Sequence, residues 1–355
     1  MSSRQLTRYV GAQVLLAILL VLAVLLGLDF LGAMVNEIDD LQRDYTFVQA
    51  IIYVLLTIPR RLSEYMPYAV LVGCLAGLGS LANNSELTVM RAAGVSTVRL
   101  VWMVVRPTLL FVMITMMVAE YVAPISEQLA KSRKAMMRIG PAAMTNDEGL
   151  WNREGNTFMH FNVVQRNGVL YGVTLFEFDD QKNLKSSLFA QRASYQQDEY
   201  WLLEDGLATE LTEQQTHSVE FTTRRWDTGF TPELLSVALL EPRQLSISAL
   251  WRYADYRVQQ GQEAGRFLLS FWTKLLQPLS IMGLVMIAIS FVFGPLREVT
   301  MGYRIFAGVL VGVVFRTVQG LLGPSSLVFG FSPFYAVMIP VCVSFIVGFY
   351  FLRRR

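Results

Sequence analysis

The side chains that most often carry enzyme chemistry are few in this sequence. It has two histidines, His160 and His217, and neither has a partner at the spacing of a metal-binding motif such as H-E-x-x-H. Both cysteines, Cys74 and Cys342, lie inside apolar runs, where free cysteine commonly packs as a small hydrophobic residue. The phosphate-binding pattern G-x-x-x-x-G-K-[ST] is not found in the sequence. We therefore expect no catalytic residue, metal site or cofactor, and any ATP must be hydrolysed by a partner.

Basic side chains near the ends of the apolar runs suggest a binding site for anions. Guanidinium and ammonium groups near a membrane surface can bind the phosphate or carboxylate groups of an amphiphile. The residues of this predicted basic collar are Arg60, Arg61, Lys131, Arg133, Lys134, Arg138, Arg266 and Lys274. The alternative is that these side chains snorkel separately or form ion pairs with Glu64, Glu120 and Glu127.

Two charged residues, Asp29 and Arg316, fall within or beside apolar runs. Ionised groups inside a membrane usually face a cavity or a partner, so either residue is a candidate for a transport pathway. Snorkelling to the interface is an equal alternative for Asp29. Arg316 lies deeper in its run and is the better candidate ligand.

The segment from Asn84 to Gly94 predicts a short helix between two apolar runs. Ser85 or Asn84 can cap its first turn, Glu86 complements the positive helix N-terminus, and Gly94 suits the position after the C-cap. Spacing of three and four residues places Leu87, Met90 and Arg91 on one face. The segment is either a helix that docks a partner or a connection lying on the membrane.

The elements that must hold these residues are mainly membrane spans. The chain has 355 residues, of which 53% are hydrophobic and only 16% charged, and its mean hydropathy is +0.41. A helical span needs about 20 apolar residues, and six segments satisfy or approach that length: 10–35, 64–83, 100–122, 267–293, 302–322 and 333–352. The first is expected to be retained as an anchor. The run Phe47 to Ile58 is either interfacial or the outer end of a long second helix.

The charges of the short loops predict the orientation of the spans. Lysine and arginine collect on the cytoplasmic side of such loops. Basic residues precede the first span, lie between the second and third and between the fourth and fifth, and close the chain, which places both termini in the cytoplasm. The polar stretch from 124 to 265 then lies outside.

This polar stretch predicts an all-β domain. Alternating or β-rich runs occur at 157–164, 170–178, 184–195, 200–203 and 218–226. Turn residues separate them at 166–168, 179–181 and 204–206, and helical periodicity returns at 246–260. Short strands at this spacing favour an antiparallel sandwich, a jelly roll or an open barrel.

Several motifs identify a known family. They are Ser85-Glu86-Leu87, Val89-Met90, Gly94, Glu120, Val122-Ala123-Pro124, Gly149-Leu150-Trp151, Leu245-Ser246-Ile247-Ser248, Ala264-Gly265-Arg266, Gln277-Pro278-Leu279-Ser280, Ser290-Phe291 and Phe293-Gly294-Pro295-Leu296-Arg297. At these residues the chain resembles the LptF/LptG family, the permease subunits of the lipopolysaccharide exporter, along nearly its whole length. The stretch from 245 to 297 is more similar to the LptG branch.

The resemblance implies a fold of six transmembrane helices with a periplasmic β-jelly-roll-like domain inserted after the third. Its expected divisions are a membrane half at 1–123 with the coupling helix at about 84–94, the β domain at 124–265, and a second membrane half at 266–355. The implied location is the bacterial inner membrane.

The implied function is export of lipopolysaccharide, taken from the outer leaflet and passed to a periplasmic bridge. The implied partners are an LptF-like permease subunit, a dimer of an LptB-like ATPase, an LptC-like bitopic protein, an LptA-like bridge and lipopolysaccharide itself. Glu86 matches the family's ATPase-facing glutamate, and Arg60 matches a basic position in span two, which makes Arg60 the leading phosphate ligand. A membrane-anchored sensor or scaffold with a ligand-binding β domain is the alternative function.

The end of the first span departs from the family pattern. Family members can carry basic residues there, whereas this chain has Asn36, Glu37, Asp39 and Asp40. Substrate contacts from that segment therefore cannot be transferred.

Overall fold

A β-sheet is inserted in the sequence between two groups of long apolar helices. The computed structural model describes residues 3–41, 45–139, 150–165, 169–196, 200–212, 215–232, 241–293 and 299–353. The helices are α1 (Ser3–Ile38), α2 (Phe47–Asn83), α3 (Glu86–Ala92), α4 (Thr97–Met117), α5 (Ala123–Ile139), α6 (Ile247–Gln259), α7 (Gly265–Leu275), α8 (Gln277–Phe293), α9 (Met301–Phe329) and α10 (Pro333–Arg353). Among these described helices, five are long and apolar enough to cross a membrane, and α7 with α8 makes a sixth span if the bent pair is counted as one. The predicted multi-span architecture with an inserted sheet is confirmed.

Prolines explain the two irregular spans. A π-helical turn, Val118–Val122, joins α4 to α5 and ends two residues before Pro124, whose ring would clash with a carbonyl of the preceding turn in a regular α-helix. The polypeptide therefore stays helical up to Ile139, beyond the predicted end of the third span. Helices α7 and α8 meet at an angle of 50°. Pro278 is the second residue of α8, where its missing N–H is tolerated.

The second helix is longer than a simple span. It runs from Phe47 to Asn83 with Pro59 and Pro67 inside it. The run from Phe47 to Ile58 is therefore one end of a long second helix, which was one of its two interpretations.

The inserted domain is a six-stranded antiparallel sheet. Its strands are β1 (Leu150–Glu154), β2 (Thr157–Gln165), β3 (Val169–Phe178), β4 (Leu184–Tyr195), β5 (Trp201–Leu211) and β6 (Thr216–Trp226). Each strand pairs with the next one in the chain, so among the described residues the sheet is a meander. The predicted all-β character is confirmed. One face of the sheet is covered at fully buried Trp201, whose indole N–H donates to the carbonyl of Phe230 at 2.8 Å.

Two details of the strand prediction were wrong. Strand β1 was not predicted, and β5 continues through Glu204-Asp205-Gly206, which was predicted as a turn. Asp205 has a φ of 52°, so turn-type residues occupy an irregular position within a strand. The turn at 179–181 is confirmed by the bond from the Lys182 amide to the Asp179 carbonyl at 3.0 Å. The turn predicted at 166–168 lies outside the described residues.

Close approach of α1 and α2 organises the helical core. A Cβ on Gly73 would lie 2.5 Å from the Cα of Ile18, and a Cβ on Gly77 would lie 2.9 Å from the Cα of Val14. Glycines four residues apart thus allow the two backbones to touch, as small residues do in membrane helix pairs.

We expect Gly73→Ala to destabilise the helical bundle by about 1–3 kcal/mol, because the added methyl group meets backbone atoms that cannot rotate away. Gly27→Ala is the matched control, since a Cβ there meets nothing within 4 Å. Thermal unfolding of the two detergent-purified variants should give a lower midpoint for Gly73→Ala alone. Equal midpoints would show that α1 can move away from α2 at no cost.

Candidate functional site

Arg60, the leading candidate ligand, is held by two carboxylates. Its Nη1 lies 2.7 Å from Glu64 Oε1, and its Nε lies 3.2 Å from Glu127 Oε2. The Glu127 side chain on α5 is only 2% exposed, whereas that of Arg60 is 20% exposed. The ion-pair alternative considered for the collar is therefore realised at Arg60 with two of the three glutamates named for it.

Lys131 belongs to the same set of contacts. Its Nζ donates to Gln244 Oε1 at 2.7 Å, and Gln244 Nε2 donates to Glu127 Oε1 at 3.0 Å. We call Arg60, Glu127, Lys131 and Gln244 the junction network. It ties α2 and α5 to the 3-10 turn Pro242–Gln244, by which the chain returns from the sheet to the membrane helices.

Lys134 lies in a separate cluster with the acidic end of α1. Its Nζ lies 2.7 Å from Glu37 Oε2 and 2.7 Å from Asp40 Oδ2, and 4.7 Å from the centre of the Tyr53 ring. Burial by itself lowers the pKa of Lys134, but hydrogen bonds to Asp40 and Glu37 outweigh it, so the pKa is raised. The unusual acidic residues at this end of α1 thus neutralise a predicted lipid ligand.

Glu37 also holds a tyrosine in this cluster. The Tyr45 hydroxyl donates to Glu37 Oε2 at 2.7 Å, and both residues are buried. Burial first, and the neighbouring Glu37 second, raise the pKa of Tyr45, so its hydroxyl stays protonated. The carboxylate of Glu37 therefore accepts from a lysine and a tyrosine at once.

Arg61 and Asp29 are partners. The Arg61 guanidinium forms an ion pair with the Asp29 carboxylate, which also accepts a hydrogen bond of 2.6 Å from the Tyr65 hydroxyl. Asp29 thus meets a partner from the neighbouring helix α2, as expected of a charge inside a membrane.

Two further predicted ligands, Arg133 and Arg316, are exposed. Arg133 projects from α5 and is exposed. Arg316 is exposed on α9, with its guanidinium carbon 5.9 Å from the centre of the Tyr68 ring. It lines a groove of about 410 Å³ between α1, α2 and α9, whose other walls are almost entirely apolar. The predicted ligands Arg60, Arg61, Lys131, Arg133, Lys134 and Arg316 are therefore distributed over several clusters, and they do not form one continuous collar.

Glu120 has a role that the sequence did not reveal. It accepts hydrogen bonds from the backbone N–H of Ile247 at 2.6 Å, from that of Ser248 at 3.2 Å and from the Ser248 hydroxyl at 2.7 Å. The carboxylate thereby caps the N-terminus of α6, a position that favours negative charge. The Ser246-Ile247-Ser248 motif predicts a helix start, but nothing local in it points to a glutamate in the third span.

The predicted coupling helix exists as α3, and its details differ from expectation. Ser85 is the N-cap residue but has a φ of 58° and makes no side-chain capping bond, whereas Gly94 has the expected positive φ of 86°. Leu87 and Met90 are buried in the core of the helical bundle, and Arg91 is exposed. The spacing of three and four residues keeps all three on one side of α3, but only the apolar pair is buried, and it anchors the helix to the bundle.

Part of the surface of α3 is not packed against the bundle. Glu86 is half-buried, lies 3.5 Å from the Asn84 amide nitrogen, and interacts with the Tyr9 hydroxyl of α1. Val89 is 65% exposed, and Arg91 is exposed as well. The surface of α3 available to a partner is therefore a mixed polar and apolar one.

Comparison with known proteins gives one consistent result. The family described as "Lipopolysaccharide export system permease LptF/LptG" matches residues 8–354. The chain is 33% identical over 353 residues to the lipopolysaccharide export system permease protein LptG of Escherichia coli strain K12, covering 99% of this chain and 98% of the relative. It is 33% identical over 352 residues to the protein of the same name from Haemophilus influenzae, with 99% and 98% covered.

We expect Glu120→Ala to expose the first turn of α6, because the Ile247 and Ser248 amides lose their acceptor. Loss of a capping interaction costs about 1–2 kcal/mol, so hydrogen exchange at these two amides should accelerate by about 5- to 30-fold. The Ala249 amide, which donates to Ser246 Oγ, is an internal reference, and Asp255→Ala, an exposed change on the same helix, is the control. Unchanged exchange at Ile247 and Ser248 would mean that Glu120 contributes nothing to the cap.

Proposed function

The chain belongs to the LptF/LptG family of lipopolysaccharide export system permeases, and on that basis we propose that it takes lipopolysaccharide from the outer leaflet of the inner membrane and passes it to a periplasmic bridge. The observation that carries the proposal is the match over almost the whole length of a multi-pass membrane chain with a sheet inserted between its spans. We propose a non-catalytic subunit that acts without a cofactor of its own.

The groove beside Arg316 supports a lipid substrate. Its walls include apolar side chains from α1, α2 and α9, which suit acyl chains, while Arg316 and the tyrosines at 65 and 68 supply polar groups. A guanidinium in such a place can hold a phosphate through two parallel hydrogen bonds. We propose Arg316 as a ligand for the anionic part of the substrate.

The other proposed ligands bind lipid phosphate by exchange. Arg60, Arg61, Lys131 and Lys134 already have protein partners, so a phosphate must share or replace a carboxylate or an amide oxygen. Such exchange keeps each cation paired, which avoids the cost of an isolated charge in a medium of low dielectric constant. Arg133 is exposed and accessible without exchange.

The proposed orientation places both termini in the cytoplasm and the sheet in the periplasm, as the basic loops indicate. In this arrangement the junction network lies between the groove and the sheet, and the sheet continues the lipid path. We retain the divisions 1–123, 124–265 and 266–355 as part of this proposal.

The energy source in this proposal is a separate ATPase. Helix α3 docks it through Glu86, Arg91 and the turn at Gly94, while buried Leu87 and Met90 transmit the resulting force to the bundle. The proposed partners are an LptF-like second permease, two LptB-like ATPase subunits, an LptC-like bitopic protein and an LptA-like bridge. Purification from native membrane should recover the ATPase and lipopolysaccharide with this chain, and recovery of neither would favour a sensor or scaffold.

We expect Glu86→Ala to weaken ATPase association by about tenfold, which corresponds to ~1.4 kcal/mol, because the change removes the carboxylate of the docking helix. Co-purification of the ATPase with tagged variants measures the effect. Glu220→Ala is the control, since Glu220 is an exposed glutamate on β6. If both variants retain the ATPase equally, Glu86 is not part of the docking surface.

For the anion site, we expect Arg60→Glu to reduce photocrosslinking to lipopolysaccharide and Glu64→Gln not to reduce it. The first change reverses a charge near the proposed phosphate and should reduce crosslinking about tenfold. The second removes a carboxylate that competes for Arg60 and should leave crosslinking equal or higher. Equal losses in both variants would indicate that the ion pair has only a structural role.

A further inference from the structure

Arg304 is a buried arginine near the start of α9. The residue is 1% exposed and is among the largest fully buried side chains in the described part of the chain. Its Nη1 donates to the Gly79 carbonyl at 2.7 Å and to Asn83 Oδ1 at 2.8 Å. Both acceptors belong to the last turn of α2, which ends at Asn83. One guanidinium therefore fastens the beginning of α9 to the end of α2.

The chemistry of this contact suits an arginine. Carbonyls near the C-terminus of a helix carry partial negative charge, and the Asn83 side chain adds a second acceptor, so a cation placed there is stabilised. Bonds from a charged donor also offset the cost of burying the guanidinium. Gly79 makes room for it, since a Cβ there would lie 3.1 Å from both Cδ and Nη1 of Arg304.

The contact continues along one face of α9. Gly308 and Gly312 follow Arg304 at intervals of four residues and are buried against α2. A Cβ on Gly308 would lie 2.5 Å from Leu75 Cδ1, and one on Gly312 would lie 3.4 Å from Tyr68 Cδ1. The next residue in the series is Arg316, in the groove. Helix α9 thus connects the end of α2 with the proposed substrate site.

Helix α3 begins close to the same point. Only Asn84 and Ser85 separate α2 from α3, so a displacement of α3 acts first on the turn that Arg304 binds. Glu86 at the start of α3 also interacts with Tyr9 of α1. The end of α2 is therefore linked to α9, and the start of α3 is linked to α1. Helices α9 and α1 are two of the three helices that line the groove.

We propose that Arg304 is a positioning residue that transmits displacement of α3 to α9 and thereby to the groove. The inference rests on the proposed function, because it needs an ATPase that moves α3 and a lipid that occupies the groove. It adds a specific mechanical link: without the guanidinium, α3 still docks its partner, but α9 no longer follows.

The test uses the complete complex in proteoliposomes and three variants. Arg304→Met removes the guanidinium while keeping an unbranched stem, and Asn83→Ala removes one acceptor at an exposed position. Arg99→Met, a change of an exposed arginine near the start of α4, is the control. Lipopolysaccharide released per ATP hydrolysed should fall about fivefold or more in the first two variants, with hydrolysis itself unchanged within about twofold.

A second readout separates transmission from a merely structural role. Spin labels at Leu20 on α1 and Val313 on α9 report the width of the groove, since both residues line it. We expect nucleotide to change this distance in the parent and in Arg99→Met, and to leave it unchanged in Arg304→Met and Asn83→Ala. If Arg304→Met does not fold, Asn83→Ala decides the question by the same measurements.

The possible failures are distinguishable. A retained nucleotide response of the groove, or hydrolysis that falls in proportion to release, would overturn the role of Arg304 while leaving the proposed function intact. A parent complex that hydrolyses ATP but releases no lipopolysaccharide would overturn the proposed function, and the inference with it.

Discussion

The buried carboxylate of Glu127 is the interaction on which the connection between the helices and the sheet depends. The Glu127 side chain is only 2% exposed, so its charge must be compensated by the protein. Arg60 on α2 and Gln244 beside the returning chain supply that compensation, and Lys131 extends it. Removing Arg60 would leave the Glu127 carboxylate without its cation in a medium of low dielectric constant. The junction network is thus a continuous connection between three elements that are distant in the sequence.

The same constraint explains why the basic residues are spread over several clusters. Each cation that faces the bundle needs a counter-charge or a set of acceptors close by. Lys134 pairs with the acidic end of α1, and Arg61 pairs with Asp29. Arg304 donates to a carbonyl near the C-terminal end of α2. In the proposed function, these paired cations would bind an anionic lipid by exchanging partners. Release of the lipid would then cost little, because the protein carboxylates remain nearby to accept the cations again.

Much of the fold and part of the site could be predicted from the sequence, because those features are local. Apolar length defines the spans, and alternation defines most of the strands. Turn residues define the turn at 179–181, and the run of residues after Asn83 defines α3. The motifs indicated the family, which propensity and periodicity alone do not, and the match over residues 8–354 established it.

The partner of each polar group was decided by the tertiary structure. Glu120 caps a helix that begins 127 residues later, and no local pattern encodes that distance. Leu87 and Met90 have the spacing of an exposed docking face, yet they are buried, because burial depends on which helices lie beneath α3. The sequence by itself determined which segments must leave water and which side chains carry charge. Only the packing of those segments decided which opposite charges and acceptors came within hydrogen-bond distance, since these contacts join residues that are far apart in the chain.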